Sequence, residues 1–434
     1  SLQSKYLRKY AKKSNEMIVQ RDTYIEKLWS RRHNGLIKIV TGMRRSGKSF
    51  LLFNLFVKQL KDNGVDDNHI IAIDLEDYRN VSLRKPDELL HFVDSMIVDD
   101  SMYYLLIDEV QRLDFFEEVL NSFLKKSNVD VYVTGSNAQF LSRDVITIFR
   151  GRSDEVRVHP FCFKEFMSTQ DSLNQEQCLR QYLTYGGMPQ ASTMNSDEQR
   201  KTYLQDLFTG TYLRDIKERY NLRDDADMEE LMDVLASSVG SLINPTKLKN
   251  TFHSVKKSTI TVDTIKTYLD LLQDAFLVEK AVRYDIKGRK YIGTPSKYYF
   301  DDLGLRNARL GFRQVEFTHL MENLIYNELR ARGQLVDVGQ VTLNTKNAEG
   351  KSQRTLLEVD FVCNQGDNRI YIQSAFNLPD EEKTLQEIRP LMQIGDNFQK
   401  VVITGGLQPT YRNDKGILIL NIFDFLLNPD SIEL

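Results

Sequence analysis

Apolar positions along the chain follow two rhythms. Short runs come first, at Leu36, Ile37, Ile39 and Val40, at 69–74, at 103–107 and at 129–133. Runs of this length and continuity suit strands buried on both faces. Between them lie segments with helical spacing: 17–29, the stretch Phe50, Leu51, Leu52, Phe53, Leu55, Phe56 and Leu60, then 86–98 and 115–126. A further strand is predicted at 154–158. Strand and helix alternating through short connections call for a parallel α/β sheet.

Beyond this region the rhythm changes. Helical spacing dominates 164–227, broken by Tyr185-Gly186-Gly187-Met188-Pro189-Gln190. Residues 228–300 give two helices, 245–252 and 262–274, then strand-like runs at 277–284 and 297–300 around Lys287-Gly288-Arg289-Lys290. That order suggests a winged helix-turn-helix. From 301 to 434 a helix at 317–332 precedes strands at 356–362 and 369–375, a hairpin, with two more at 400–404 and 416–422. Four domains are therefore expected: 1–163, 164–227, 228–300 and 301–434.

The junction between the first strand and the helix after it carries the most specific chemistry. Gly42-Met43-Arg44-Arg45-Ser46-Gly47-Lys48-Ser49, running on into Phe50, is the sequence form of a phosphate-binding P-loop. Its two glycines permit backbone angles and close approach that a side chain would block. Loop N–H groups, with the positive end of the following helix, can then face phosphate oxygens. Lys48 is expected to reach the β- and γ-phosphates, and the Ser49 hydroxyl to hold Mg²⁺. Sixty residues after Lys48, the run Met102–Ile107 ends in Asp108-Glu109. Two acids at the C-terminal end of a buried parallel strand emerge where ligands bind in doubly wound sheets. This is a Walker B pattern, with Asp108 on the magnesium and Glu109 accepting a proton from the attacking water or orienting it. At the tip of the next strand, Ser136 or Asn137 is positioned to sense the γ-phosphate, or simply to cap the following helix.

Composition narrows the alternatives. The 434 residues carry a net charge of −3, so no global attraction to nucleic acid or anionic membrane is expected and any such surface must be local. One local excess exists: between Ile243 and Tyr298 there are eleven Lys/Arg against five Asp/Glu. Lys256, Lys257, Lys266, Lys287, Arg289 and Lys290 are the expected phosphate contacts if the module binds DNA. Thr264 and Thr267 offer little for base reading, so a sequence-tolerant binder, or a module packed against its own ATPase domain, fits better. Three separated cysteines, Cys162, Cys178 and Cys363, form neither a disulfide framework nor a metal spacing. With no apolar run of membrane-spanning length and no visible signal peptide, a cytoplasmic protein is expected.

Thr41–Ser49, Leu106-Ile107-Asp108-Glu109-Val110-Gln111, Thr134-Gly135-Ser136 and Arg150-Gly151-Arg152 together resemble the AAA+-type ATPases of bacteria and archaea that carry a C-terminal nuclease-like domain. The resemblance implies ATP, ADP and Mg²⁺ as ligands and a homo-oligomer. In it, Arg150 or Arg152 stands where an arginine reaches into a neighbour's nucleotide site. Pairing with Asp154 and Glu155 is the competing role for both. Pro189 matches a Gly-x-Pro element of the helical lid, set against adenine or serving only as a turn. Tyr212-Leu213-Arg214-Asp215-Ile216 also looks like this family's lid. Glu322, Asp360 and Gln373-Ser374-Ala375 resemble a PD-(D/E)xK nuclease core in which the second acid has become Gln373 and the lysine has become Ala375. Lys383 is a substitute without support, so nuclease activity is not expected. The fold class is thus α/β: a P-loop NTPase parallel sheet, a helical lid, a winged helix-turn-helix module and a C-terminal α/β restriction-endonuclease-like domain. The expected function is ATP hydrolysis coupled to movement of the basic module. A nucleotide-gated DNA- or protein-binding switch is the alternative, and an ATP-regulated nuclease the second.

Overall fold

A computed structural model describes residues 18–135, 149, 151–219, 226–346 and 352–433. The chain divides into two compact units, residues 1–160 with 274–276, and residues 161–273 with 277–434. Among the described residues no helix is long and apolar enough to cross a membrane.

The first unit is built on five parallel strands: β1 (Ile37–Thr41), β2 (Ile70–Asp74), β3 (Tyr103–Asp108), β4 (Val129–Thr134) and β5 (Ser153–Arg157). Their spatial order is β2-β3-β4-β1-β5. β1, β3 and β4 are buried along their whole length, as unbroken apolar runs require. Consecutive residues feed opposite faces. Ile39, Ile107 and Val133 join Leu89 and Val93 of helix Pro86–Met96 and Val119, Leu120 and Phe123 of helix Phe116–Phe123. Their neighbours Val40, Leu106 and Tyr132 join Leu51–Phe56 of the helix that follows the glycine loop. Helices therefore cover both faces, and the C-terminal ends of β1, β4 and β3 lie in a row at one edge. Near the other end of β1, the buried Lys38 ammonium pairs with Asp130 of β4, which also accepts from the Tyr132 hydroxyl at 2.8 Å.

In the second unit an eight-stranded mixed sheet is built from β6 (Val278–Asp285), β7 (Lys290–Phe300), β8 (Leu335–Lys346), β9 (Ser352–Gln365), β10 (Asn368–Ala375), β11 (Gln399–Thr404), β12 (Tyr411–Arg412) and β13 (Leu418–Asn421). Its spatial order is β12-β13-β11-β10-β9-β8-β6-β7. The two strands expected to form a separate wing are thus joined to the C-terminal strands. β6 pairs with β7 on one side and, in parallel, with β8 on the other. Sequence spacing finds hairpins readily but not a parallel partner fifty residues away. The helix pair expected before them is present, as Pro245–Lys256 and Val262–Asp274.

The Gly186-Gly187 turn docks within the same unit. The Asp302 carboxylate accepts from the Gly187 and Leu305 amides at 2.8 and 2.9 Å. Asn307 donates to the carbonyls of Leu183 and Thr184 at 2.9 and 2.8 Å. A Cβ on Gly187 would lie 2.1 Å from the Phe161 carbonyl oxygen, and one on Gly304 2.0 Å from that of Tyr185. Backbone cannot yield as a side-chain tip can. Gly187→Ala is therefore expected to lower stability by at least about 1–3 kcal/mol, read from the urea midpoint.

Candidate functional site

The edge formed by the ends of β1, β4 and β3 holds the residues that the P-loop and Walker B patterns singled out. After Thr41 the chain turns at Gly42, with φ 132°; a Cβ there would meet the Val158 carbonyl oxygen at 2.1 Å. Arg45 and Gly47 also take positive φ, 63° and 94°. The loop closes into the helix beginning at Lys48. Met43, Ser46 and Lys48 are buried, Arg44 and Ser49 half-buried, Arg45 and Phe50 exposed. The Lys48 ammonium folds back onto its own loop, donating to the carbonyls of Gly42 and Met43 at 2.9 Å each. Burial pushes its pKa down to about 8, against Glu109 and Asp108, which raise it, while Arg44 adds to the lowering.

β3 delivers the two acids. Asp108 is 5% exposed and burial pushes its pKa up to about 6, opposed by hydrogen bonds from Thr134 and Ser49. The Ser49 hydroxyl and the Asp108 carboxylate, 59 residues apart in sequence, are therefore hydrogen-bonded. Glu109 leaves the strand in a left-handed conformation, φ 50°. Non-glycine residues hold that conformation at a cost and cluster at functional sites when they do. Its amide donates to Thr134 Oγ1 at 3.2 Å, and its carboxylate accepts from Gln111 Nε2 at 2.5 Å.

Thr134 and Gln111 were not among the candidates. Thr134 ends β4, the strand lying between β1 and β3, and its hydroxyl donates to Asp108. Only the spatial order of the strands brings it there. Gln111 follows Glu109 by two residues, and a polar side chain so close to the acids was the available signal. Of the predicted γ-phosphate and arginine residues, Ser136, Asn137 and Arg150 lie outside the described residues. Arg152 is exposed and donates to Asn121 Oδ1 at 3.3 Å. Among the described residues, Asp154 pairs with Arg31 at 2.8 Å and Glu155 accepts from the Thr41 hydroxyl at 2.5 Å. Pro189 belongs to the second unit, where it opens helix Pro189–Ser192.

The second unit holds another cluster. Glu322 of helix Phe317–Ala331, Asp360 of β9 and Gln373 of β10 lie together, with Glu358 of β9, which was not singled out from the sequence, and a lysine among them. It is Lys297 of β7, 1% exposed, with its ammonium 2.8 Å from Glu322, 2.6 Å from Glu358 and 3.8 Å from Asp360. Tyr299 donates to Glu322 at 2.7 Å, and the Ser374 amide to Asp360 at 2.8 Å. Burial opposes the charge on Lys297, but Glu322, Asp360 and Glu358 outweigh it and hold the ammonium well above its ordinary value. Burial first, then the neighbouring Glu322, raises Asp360. Lys383, the substitute considered from the sequence, pairs instead with Glu387 at 2.6 Å. Ala375 is packed into the apolar core. Among the predicted basic contacts, Lys257, Lys266, Lys287, Arg289 and Lys290 are exposed. Lys287 also donates to the Thr342 carbonyl at 3.0 Å.

Sheet order, glycine loop and paired acids define a P-loop domain of the AAA type, and residues 34–167 match the AAA domain family. Residues 176–316 match a domain of unknown function. The chain as a whole belongs to the same family as an uncharacterized protein of Haemophilus influenzae, 32% identical over 419 residues that cover 95% of this chain and 100% of that one. An uncharacterized protein of Methanocaldococcus jannaschii is 27% identical over 360 residues, 80% of this chain and 76% of that one. Among solved structures, a Walker-type ATPase of Pyrococcus abyssi is similar at a TM-score of 0.48 and 16% identity, over 68% of this chain and 97% of that one.

Proposed function

We propose that the protein binds ATP with Mg²⁺ in the loop 42–49 and hydrolyses it. One observation carries the reading: Lys48, Ser49, Asp108 and Glu109, brought from two separate strands, converge at one edge of the sheet. The loop is also incomplete by itself. Ser46 Oγ is buried without a hydrogen-bond partner among the described residues, and the Lys48 ammonium rests on loop carbonyls. Phosphate oxygens would serve both. Ser49 and Asp108 would hold Mg²⁺, which when bound neutralises charge on the phosphates. Lys48 binds and orients the same oxygens. Glu109, fixed by Thr134 and Gln111, orients water or takes its proton. Ser136 or Asn137 would report the γ-phosphate, and Arg150 or Arg152 of a neighbouring copy would complete the site.

Residues 301–434 of the second unit are read as a restriction-endonuclease-like scaffold without nuclease activity. Gln373 has lost the charge of a metal ligand, and Lys297 already neutralises the acids around it. Exposure of Lys287, Arg289 and Lys290 at a single turn supports DNA contact through the phosphate backbone.

Lys48→Ala is expected to abolish nucleotide binding. Isothermal titration of the full chain with ATP and magnesium checks it, and unchanged heat of binding in the variant would reject the reading.

A further inference from the structure

Arg21 stands immediately before helix Asp22–Ser30, in a left-handed backbone conformation with φ 52°, and is 4% exposed. Its guanidinium reaches residues distant in sequence. Nη1 donates to the Ser46 carbonyl at 2.9 Å, inside the glycine loop. Nη2 donates to the carbonyls of His159 at 2.7 Å and Pro160 at 3.4 Å, just beyond β5. The guanidinium carbon also lies 4.5 Å from the centre of the Tyr24 ring, and the Tyr24 hydroxyl accepts from the His159 amide at 3.2 Å.

The contact with Ser46 has a geometric consequence for its neighbour. A trans peptide carries its C=O and N–H on opposite sides. Holding the Ser46 carbonyl toward Arg21 therefore turns the Gly47 N–H the other way. Gly47 sits at φ 94°, and glycine alone puts up little resistance to rotation of that peptide plane. A loop meant to receive an anion through its N–H groups needs those planes set beforehand. Burying a guanidinium is costly, and an apolar side chain would fill the space without that cost. The fork geometry of arginine, with two nitrogens on two different segments, is what an apolar residue cannot reproduce.

We propose that Arg21 is a positioning residue for the nucleotide: it holds the Ser46–Gly47 peptide in the anion-receiving orientation before phosphate arrives. The proposal rests on the reading that loop 42–49 cradles the triphosphate. Order imposed in advance raises affinity by lowering the cost of binding.

The test is titration of the full chain with ATP and magnesium, alongside steady-state phosphate release, for wild type, Lys48→Ala, Arg21→Ala and Arg21→Lys. Arg21→Ala is expected to weaken binding roughly 10- to 100-fold. KM should rise in step, with kcat at saturating nucleotide held near the wild-type value, a split that general loss of folded protein would not produce. Arg21→Lys keeps the charge but not the fork, and is expected to fall between the two. If the alanine variant does not fold, the lysine variant decides. Wild-type affinity in either folded variant overturns the proposal, as does a loss confined to kcat. Failure of the underlying reading looks different: the wild type would then show no binding, or Lys48→Ala would bind as well as the wild type.

Discussion

Glu109→Gln is expected to bind ATP and magnesium with near wild-type affinity while releasing phosphate at least about 100-fold more slowly, the usual contribution of a positioned general base. The substitution is close to isosteric. It leaves the Glu109 amide on Thr134 and Gln111 beside the side chain. Lys48, Ser49 and Asp108 are untouched, so the binding residues remain. What is lost is the negative oxygen that can take a proton from water or align it. The left-handed backbone at Glu109 argues that its placement matters, because the strand could have ended there without strain. Single-turnover and steady-state phosphate release, paired with titration of the nucleotide, check the result. Wild-type turnover in the variant would remove Glu109 from the chemistry. Negligible turnover in the wild type itself would favour a nucleotide-gated switch.

The second large effect is expected at Lys297. Lys297→Ala should destabilise the second unit by about 3–5 kcal/mol, the cost of leaving buried charge without its partner. Three carboxylates face the ammonium, two of them within 2.8 Å, and Glu322 also accepts from Tyr299. Removing the ammonium leaves Glu322 and Asp360 to repel each other in a poorly solvated space. Because the lysine is held above its ordinary value, its contribution is fully present at neutral pH and is lost only as pH rises past about 10. Trp29, the one tryptophan of the sequence, belongs to the first unit. Its fluorescence therefore reports that unit, while far-ultraviolet circular dichroism reports both. The dichroism midpoint in urea should move and the Trp29 midpoint should not. Adding Glu322→Gln should recover part of the loss; an unchanged midpoint in Lys297→Ala would show that the cluster carries no net stability.

Much of the proposed nucleotide site was legible because its parts are local. Gly42, Gly47, Lys48 and Ser49 sit within one loop, and Asp108-Glu109 at the end of an uncharged strand gains its meaning from following that loop by sixty residues. The remainder depended on which strands become neighbours. Thr134 resembles any polar residue at a strand end until β4 is seen between β1 and β3. Arg21 lies outside every motif, and its contacts run 25 and 138 residues along the chain. Ala375 packs into the apolar core, and the ammonium among the acids is that of Lys297, 78 positions earlier, from a strand that belonged by sequence to another domain.

By itself, the order of residues determined the phosphate loop, the acids opposite it and the alternation of strands and helices in the first unit. Each follows from backbone freedom at glycine or from the period with which apolar groups must be buried, and both act over a few residues. Tertiary structure decided that the two strands after 277 join the C-terminal sheet, that an ammonium from one of them sits among the acids, and that Arg21 grips the loop 42–49. Those outcomes depend on long-range strand pairing and on matching buried charges, which sequence spacing does not encode.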